Sequence, residues 1–250
     1  LDIQQQDGAY SVIEHSSGGF VTAGWSTIDS RSDFYIVKFD SQGNKEWERL
    51  IGGQNSDIAY SIIELSSGDM LVTGPTNTFG GGSGGIIVKI AHNGTILPIT
   101  DLDGNESDYY YFEDTKDEFV MDIVETTNGD IFTAGFKTSS GMSDDSFWIY
   151  KFVGIQDNSS LDFETSKLIN YSLDDDRAFA ICESLSDNGV VIAGYSNNQN
   201  MLVLHLDNNL QTINSLNLGN GILYDIQQTA DQGYIVAGKH NSSNGSDNNC

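Results

Sequence analysis

Short apolar runs alternate with glycine-rich turns along the whole chain, and five run–turn–run phrases match one another. Residues 10–24 read Tyr-Ser-Val-Ile-Glu, a His-Ser-Ser-Gly-Gly turn, then Phe-Val-Thr-Ala-Gly. The phrase returns at residues 60–74, 121–135, 179–194 (with a small insertion) and 224–238. Each half is rich in β-branched and aromatic residues and too short for an ordinary helix, so each predicts a strand. The glycine-bearing turn between them predicts a tight hairpin. The glycine that closes each phrase predicts a close backbone approach. A third apolar run follows at Phe34-Tyr-Ile-Val-Lys-Phe39, with matches at 86–90, 147–152 and 201–206. After the turn at 40–44, Glu46-Trp-Glu-Arg-Leu-Ile51 predicts a fourth strand. Positions apolar on both faces, as at Val12-Ile13, call for cover on both sides of the sheet.

The closing glycines are 50, 61, 59 and 44 residues apart, a spacing typical of solenoids, propellers or arrays. Four-stranded sheets stacked radially satisfy the two-sided burial, so the expectation is an all-β propeller of about five blades in one domain. Four units look complete, at roughly 7–56, 57–116, 117–174 and 175–220. A fifth, 221–240, stops after its second strand and leads into a polar tail, 241–250. Leu1 to Gln6 reads as a strand remnant, and pairing both chain ends in one composite blade would remove exposed edges. The alternatives are a larger propeller, or an unfilled blade that accepts a strand from another subunit. Pro98 stands where the first unit has Trp47, which requires that strand to be an outer edge.

The unit YSVIE…SSGGFVTAG…DFYIVKFDSQGNKEW…IGG resembles the glycine-rich tandem propeller repeats of secreted bacterial, archaeal and protist surface proteins. The resemblance covers nearly the whole chain, is tightest in the first two strands and loosest in the fourth. It implies a propeller and a surface location, and it brings no catalytic residues with it.

Composition narrows the partners. With 36 acidic against 11 basic residues the net charge is −25, which disfavours nucleic acid and anionic membranes and favours cations or basic surfaces. No apolar run reaches membrane-spanning length. The start at Leu1 fits a removed leader or a chain read in part. Sequons at Asn93, Asn105, Asn158, Asn170, Asn241 and Asn244 fall mostly in turns or inserts, where N-linked glycans fit an extracellular or cell-surface protein. Cys182 and Cys250 make no disulfide framework.

Several residue sets are candidates for chemistry. Glu14, Glu64, Glu125, Glu183 and Gln228 share one first-strand slot. Lining an axis, they would form a ring that attracts a cation; the favoured alternative is that each satisfies backbone donors at a strand end. Lys38, Lys89, Lys151 and His205 share a third-strand slot and read as packing stems whose charge is paired to nearby acids. Asp101, Asp103, Asn105 and Asp108 alternate oxygen ligands as a calcium loop does, without its later glycine and distal glutamate. Tyr109, Tyr110, Tyr111 and Phe112 form either a contact patch or an extra strand on a blade flank. Trp25 reads as a loop-facing aromatic suited to a sugar ring. The four histidines are scattered, and neither a zinc-ligand spacing nor a nucleophile elbow occurs. The expectation is a non-enzymatic structural or interaction scaffold whose partners are copies of itself or other surface proteins, with filament or surface-layer assembly through an open blade. The alternative is a carbohydrate-binding propeller. A glycan-cleaving enzyme would need a buried acid pair in one cleft.

Overall fold

The computed structural model describes residues 6–79, 83–100, 105–112, 118–138, 145–153, 162–170, 174–197 and 199–241. Among these residues the regular structure is strand, without helix. The first sheet holds β1 (Asp7–Glu14), β2 (Phe20–Ile28), β3 (Arg31–Phe39) and β4 (Lys45–Ile51), antiparallel and in chain order. The hairpin between β1 and β2 turns on Gly18 and Gly19, both at positive φ.

The second sheet opens the same way with β5 (Ser61–Glu64), β6 (Met70–Thr76) and β7 (Gly84–Ile90). Its outer edge departs from the pattern. β8 (Ile96–Leu97) pairs with Lys89 and Ile90 and ends before Pro98, which has no N–H to continue the ladder. The chain moves off through β9 (Ile99–Thr100), which pairs with β10 (Glu106–Ser107). It returns as β11 (Tyr110–Tyr111), which takes up the edge of β7 at Ile86 and Ile87. The aromatic insert thus finishes an edge that proline interrupts.

β12 (Glu118–Glu125), β13 (Ile131–Thr138), β14 (Asp145–Val153) and β15 (Asp162–Ile169) form the third sheet in chain order. The last sheet holds β16 (Arg177–Ser184), β17 (Gly189–Ser196), β18 (Asn200–Leu206), β19 (Thr212–Gln228) and β20 (Tyr234–His240). β19 is the fourth strand of one module up to Asn220, which faces Asn200, and the first strand of the next from Gly221, which faces His240. Positive φ at Gly219 and Gly221 turns the strand between these two partners.

Bulges in the first strand lie between Ala9 and Ser11, Ala178 and Ala180, and Leu223 and Asp225 among the described residues. The bulge pushes a carbonyl toward the closing glycine of the repeat phrase. A Cβ on Gly24, Gly194 or Gly238 would overlap the carbonyl oxygen of Gly8, Arg177 or Ile222. The same holds for Gly74 and Ile58.

Contacts divide the chain into two compact units, one holding β1 to β11 and the other β13 to β20, with the boundary inside β12. In the first unit, Val21, Ala23, Phe34 and Ile36 pack with Ile62, Val72, Ile86 and Val88 in one core between two sheets. In the second, β17 is buried on both faces. Val190 and Ile192 join Phe132, Phe147 and Ile149, while Val191 and Ala193 join Leu223 and Ile226. That two-sided cover is what the apolar runs called for, but it fails at the pair that suggested it: on β1, Val12 is 63% exposed.

Candidate functional site

Three slots recur from module to module. At the first-strand slot, Glu64 accepts hydrogen bonds from the Ser16 amide (2.8 Å) and from the Ser16 hydroxyl. Glu183 does the same for Thr127, with the amide at 2.6 Å and the hydroxyl at 2.9 Å. Gln228 Oε1 accepts from the Leu185 amide at 3.1 Å. Each side chain reaches back to the hairpin turn of the preceding module and satisfies a backbone donor there. Glu125 is half-buried and engaged, and Glu14 stands exposed on β1.

At the third-strand slot, Lys38, Lys89 and Lys151 are buried and each meets an acid of its own module. Lys89 Nζ lies 3.5 Å from Asp69, Lys151 Nζ 3.3 Å from Asp130, and His205 Nε2 2.9 Å from Asp187, all at ion-pair distance. Asp69, Asp130 and Asp187 all sit in the turn between first and second strands. In the first module Gly19 replaces that acid, so Lys38 donates instead to Gly18 O (2.8 Å) and Glu46 (2.6 Å). Asp187 stays below the usual carboxylate range. Partial burial works against this, but the Ser184 hydroxyl, the Gly189 amide and His205 outweigh it.

The third slot was not recognised in the sequence. An acid stands three residues before the first-strand aromatic or Met: Asp7, Asp57, Glu118 and Asp176. The last three are fully buried. Asp57 accepts from the hydroxyls of Thr76 (2.5 Å) and Thr78 (2.8 Å) and from the Asn77 amide (3.1 Å), pinning the loop after β6. Asp176 accepts from the Asn197 amide (3.3 Å), pinning the loop after β17. Their own amides donate to the carbonyls of Ser32 and Asp145. Around Asp176, Arg177 bridges Asp145 (2.6 Å) and Asp175 (3.4 Å) and lies over Phe136 at 4.6 Å. Around Asp57, Ile58 takes the arginine's place. There burial lifts the Asp33 carboxyl above its ordinary range, with Arg31 opposing and neighbouring Asp57 adding to the lift. Asp33 Oδ1 is buried without a hydrogen-bond partner.

The remaining candidates are spread out. Of the calcium loop, Asp101 and Asp103 lie outside the described residues, and Asn105 and Asp108 are exposed. Among the described residues, no group of three or more His, Cys, Asp or Glu side chains is placed to hold a metal. Tyr109 packs on Phe79 at 4.4 Å, Tyr110 meets Phe112 edge-on, and Phe112 is buried. Trp25 lies within β2, opposite Phe34 and against Gly8. Asn93, Asn105 and Asn170 are exposed and Asn241 is half-buried; Asn158 and Asn244 lie outside the described residues, as do residues 1–5, the tail beyond 241, and Cys250. Cys182 is an unpaired thiol in β16, pushed up to about 12 by burial, with Asp122 and Asp225 adding to the shift.

No family profile matches the sequence, and no curated protein matches it. Solved structures do resemble it. The Dos1 propeller superposes with a TM-score of 0.52 at 9% identity, over 94% of this chain and 68% of that one. Sqt1 from Chaetomium thermophilum gives 0.45 at 10% identity, over 89% of this chain and 64% of that one, so the chain spans under two thirds of Sqt1. A glucose dehydrogenase gives 0.38 at 9% identity, over 93% and 94%. The successive antiparallel sheets and the likeness to the Dos1 propeller together make the fold a β-propeller.

Proposed function

We propose that this chain is a non-enzymatic propeller scaffold of about five modules that works outside the cell, carries N-linked glycans and binds other proteins, copies of itself included. One observation carries the reading. The third residue of the repeat phrase is buried in four modules, at Ile62, Ile123, Ile181 and Ile226, whereas its counterpart Val12 is 63% exposed. A slot built to be covered stands open beside Tyr10, which marks a contact surface. The directional turn contacts support the same view. Glu64, Glu183 and Gln228 each bind the turn before them, so Glu14 is an acceptor, and the Ala230 amide a donor, of the kind that joins one module to the next. Most of the acids and lysines that recur from module to module are engaged in holding modules together, which favours a scaffold over a catalyst.

Light scattering in physiological salt tests self-association. The wild-type chain should associate with rising concentration and Val12→Lys should not. A wild-type chain that stays monomeric throughout defeats the self-binding part. Intact mass before and after glycosidase treatment of the naturally produced protein checks the extracellular part, and an unchanged mass removes it.

A further inference from the structure

The turn between β1 and β2 differs from its counterparts at one buried position. His15, 2% exposed, stands where the later modules carry Leu65, Thr126, Ser184 and Thr229. Its ring joins two groups. The Ser17 amide donates to Nδ1 at 3.1 Å, which makes Nδ1 an acceptor and puts the ring proton on Nε2. The Ser17 hydroxyl lies 2.9 Å from the same Nδ1 and therefore donates to it as well. On the far side, Nε2 is buried without a hydrogen-bond partner, 3.7 Å from Glu64 Oε1. The Ser16 amide (2.8 Å) and the Ser16 hydroxyl hold that carboxylate in place. Ser17 itself is exposed. Ser67 and Asn128, at the same turn position in the middle of the chain, are exposed too, so this accessibility belongs to the turn and not to the chain's start.

From this we infer that Ser17 is a nucleophile that accepts an acyl group from an uncharged or cationic ester, with His15 as its general base and Glu64 as the positioning residue for His15. Hydroxyl, imidazole and carboxylate follow one another as in a serine triad, with the two ring nitrogens exchanged. In the step, Ser17 Oγ bonds to the acyl carbon, the hydroxyl proton passes to Nδ1, and the ester C–O bond breaks. The leaving alkoxide takes the proton from Nδ1, so ester and Ser17 give acyl-Ser17 and an alcohol. While Nδ1 is protonated, water takes over the hydrogen bond of the exposed Ser17 amide, and the imidazolium faces the Glu64 carboxylate. The net charge of −25 turns away anionic esters. The transfer is stoichiometric, one acyl group per chain, and goes beyond the scaffold reading.

The probe is an uncharged fluorophosphonate, which loses fluoride to a serine activated in this way, incubated with the full chain and mapped by peptide mass spectrometry. Ser67 is the internal control, since it holds the same place in the second turn but has Leu65 in the histidine's position. Ser17 should be labelled about 10²-fold faster than Ser67, the lower end of what a positioned base contributes, because the hydroxyl is open to water. His15→Asn should bring the Ser17 rate down to that of Ser67. Glu64→Gln keeps an oxygen for the Ser16 amide, as Gln228 does for Leu185. It should leave the thermal midpoint nearly unchanged yet slow Ser17 about tenfold, the weight of one facing charge. Both rates are read in one folded sample, so a loss of fold cannot imitate the result. Equal labelling of Ser17 and Ser67, or Ser17 labelling undiminished in His15→Asn, would overturn the site. An undiminished rate in Glu64→Gln would remove the carboxylate from it.

Discussion

Gly194→Ala isolates the physical reason for the glycine that closes each repeat phrase. Gly194 does not have a positive φ, so alanine is conformationally allowed there. By itself the change would stabilise the fold by about 0.4–1 kcal/mol through the unfolded chain. Packing acts in the opposite direction. The added Cβ would overlap the Arg177 carbonyl oxygen and stand 2.9 Å from its carbonyl carbon and 3.0 Å from Ala178 Cα. All three are backbone atoms of a bulged strand and cannot swing aside as a side chain would. Overpacking of this kind costs about 1–3 kcal/mol, and backbone obstruction places it at the upper end. The net loss is about 2 kcal/mol, or roughly 4–8 °C in thermal midpoint for a chain of this size. Gly43→Ala is the control, because Gly43 has φ +83 and open space around the missing Cβ. Its penalty is confined to backbone strain of about 1 kcal/mol, offset by the same unfolded-chain gain. Melts followed by circular dichroism should rank the variants wild type, Gly43→Ala, Gly194→Ala in falling stability. A Gly194→Ala midpoint level with the control would refute the close-approach explanation.

Removing the acid from a buried ion pair should matter where the acid is itself sheltered. Asp130→Asn takes the counter-charge from buried Lys151 and should cost about 2–3 kcal/mol in denaturant unfolding. Glu46, 46% exposed beside Lys38, should lose less than about 1 kcal/mol as Glu46→Gln. Asp33→Asn should raise the thermal midpoint at neutral pH. The raised carboxyl contributes stability only while protonated and loses it as pH climbs through its folded value, so the benefit should vanish at acid pH. An unchanged midpoint at pH 7 counts against the burial argument. Cys182 should resist alkylation at pH 8 in the native chain, since a thiol near 12 is ionised on the order of one part in ten thousand there. Its contribution to stability holds below the ordinary thiol value and is lost as pH rises toward 12. Mass spectrometry showing native modification as fast as in urea would contradict this.

Much of the fold was readable because the repeat phrase combines two constraints that survive in sequence. Apolar runs mark strands, and glycine marks a bulged partner whose carbonyl leaves no room for a Cβ. The bulge itself was not readable, since it is a property of paired backbones. The edge of the second sheet was half readable. Pro98 announced an outer strand, but its repair by Tyr110–Tyr111 depends on a long return through space. The unit boundary at 220 falls inside β19, because one strand serves two modules and composition does not change where the partner does. The buried acids Asp57, Glu118 and Asp176 escaped notice for a different reason: among 36 acidic residues a periodic carboxylate is hidden by its neighbours, although its fixed distance from the first-strand aromatic or Met was a usable signal. Lys38, Lys89 and Lys151 were legible because lysine is scarce.

Charge sets how the contact at Val12 and Tyr10 responds to salt. Five of the eleven cations are committed within or between modules: Lys38, Lys89 and Lys151 to acids, Lys167 to the Leu210 carbonyl, Arg177 to Asp145 and Asp175. The surface therefore presents the acidic excess with few cations to offset it. Copies that meet through Val12 and Tyr10 must overcome mutual repulsion, so added salt, which screens that repulsion, should strengthen their association. Association that weakens steadily as salt is added would mean that the contact draws on the protein's field instead of opposing it, and would refute its assignment to Val12 and Tyr10.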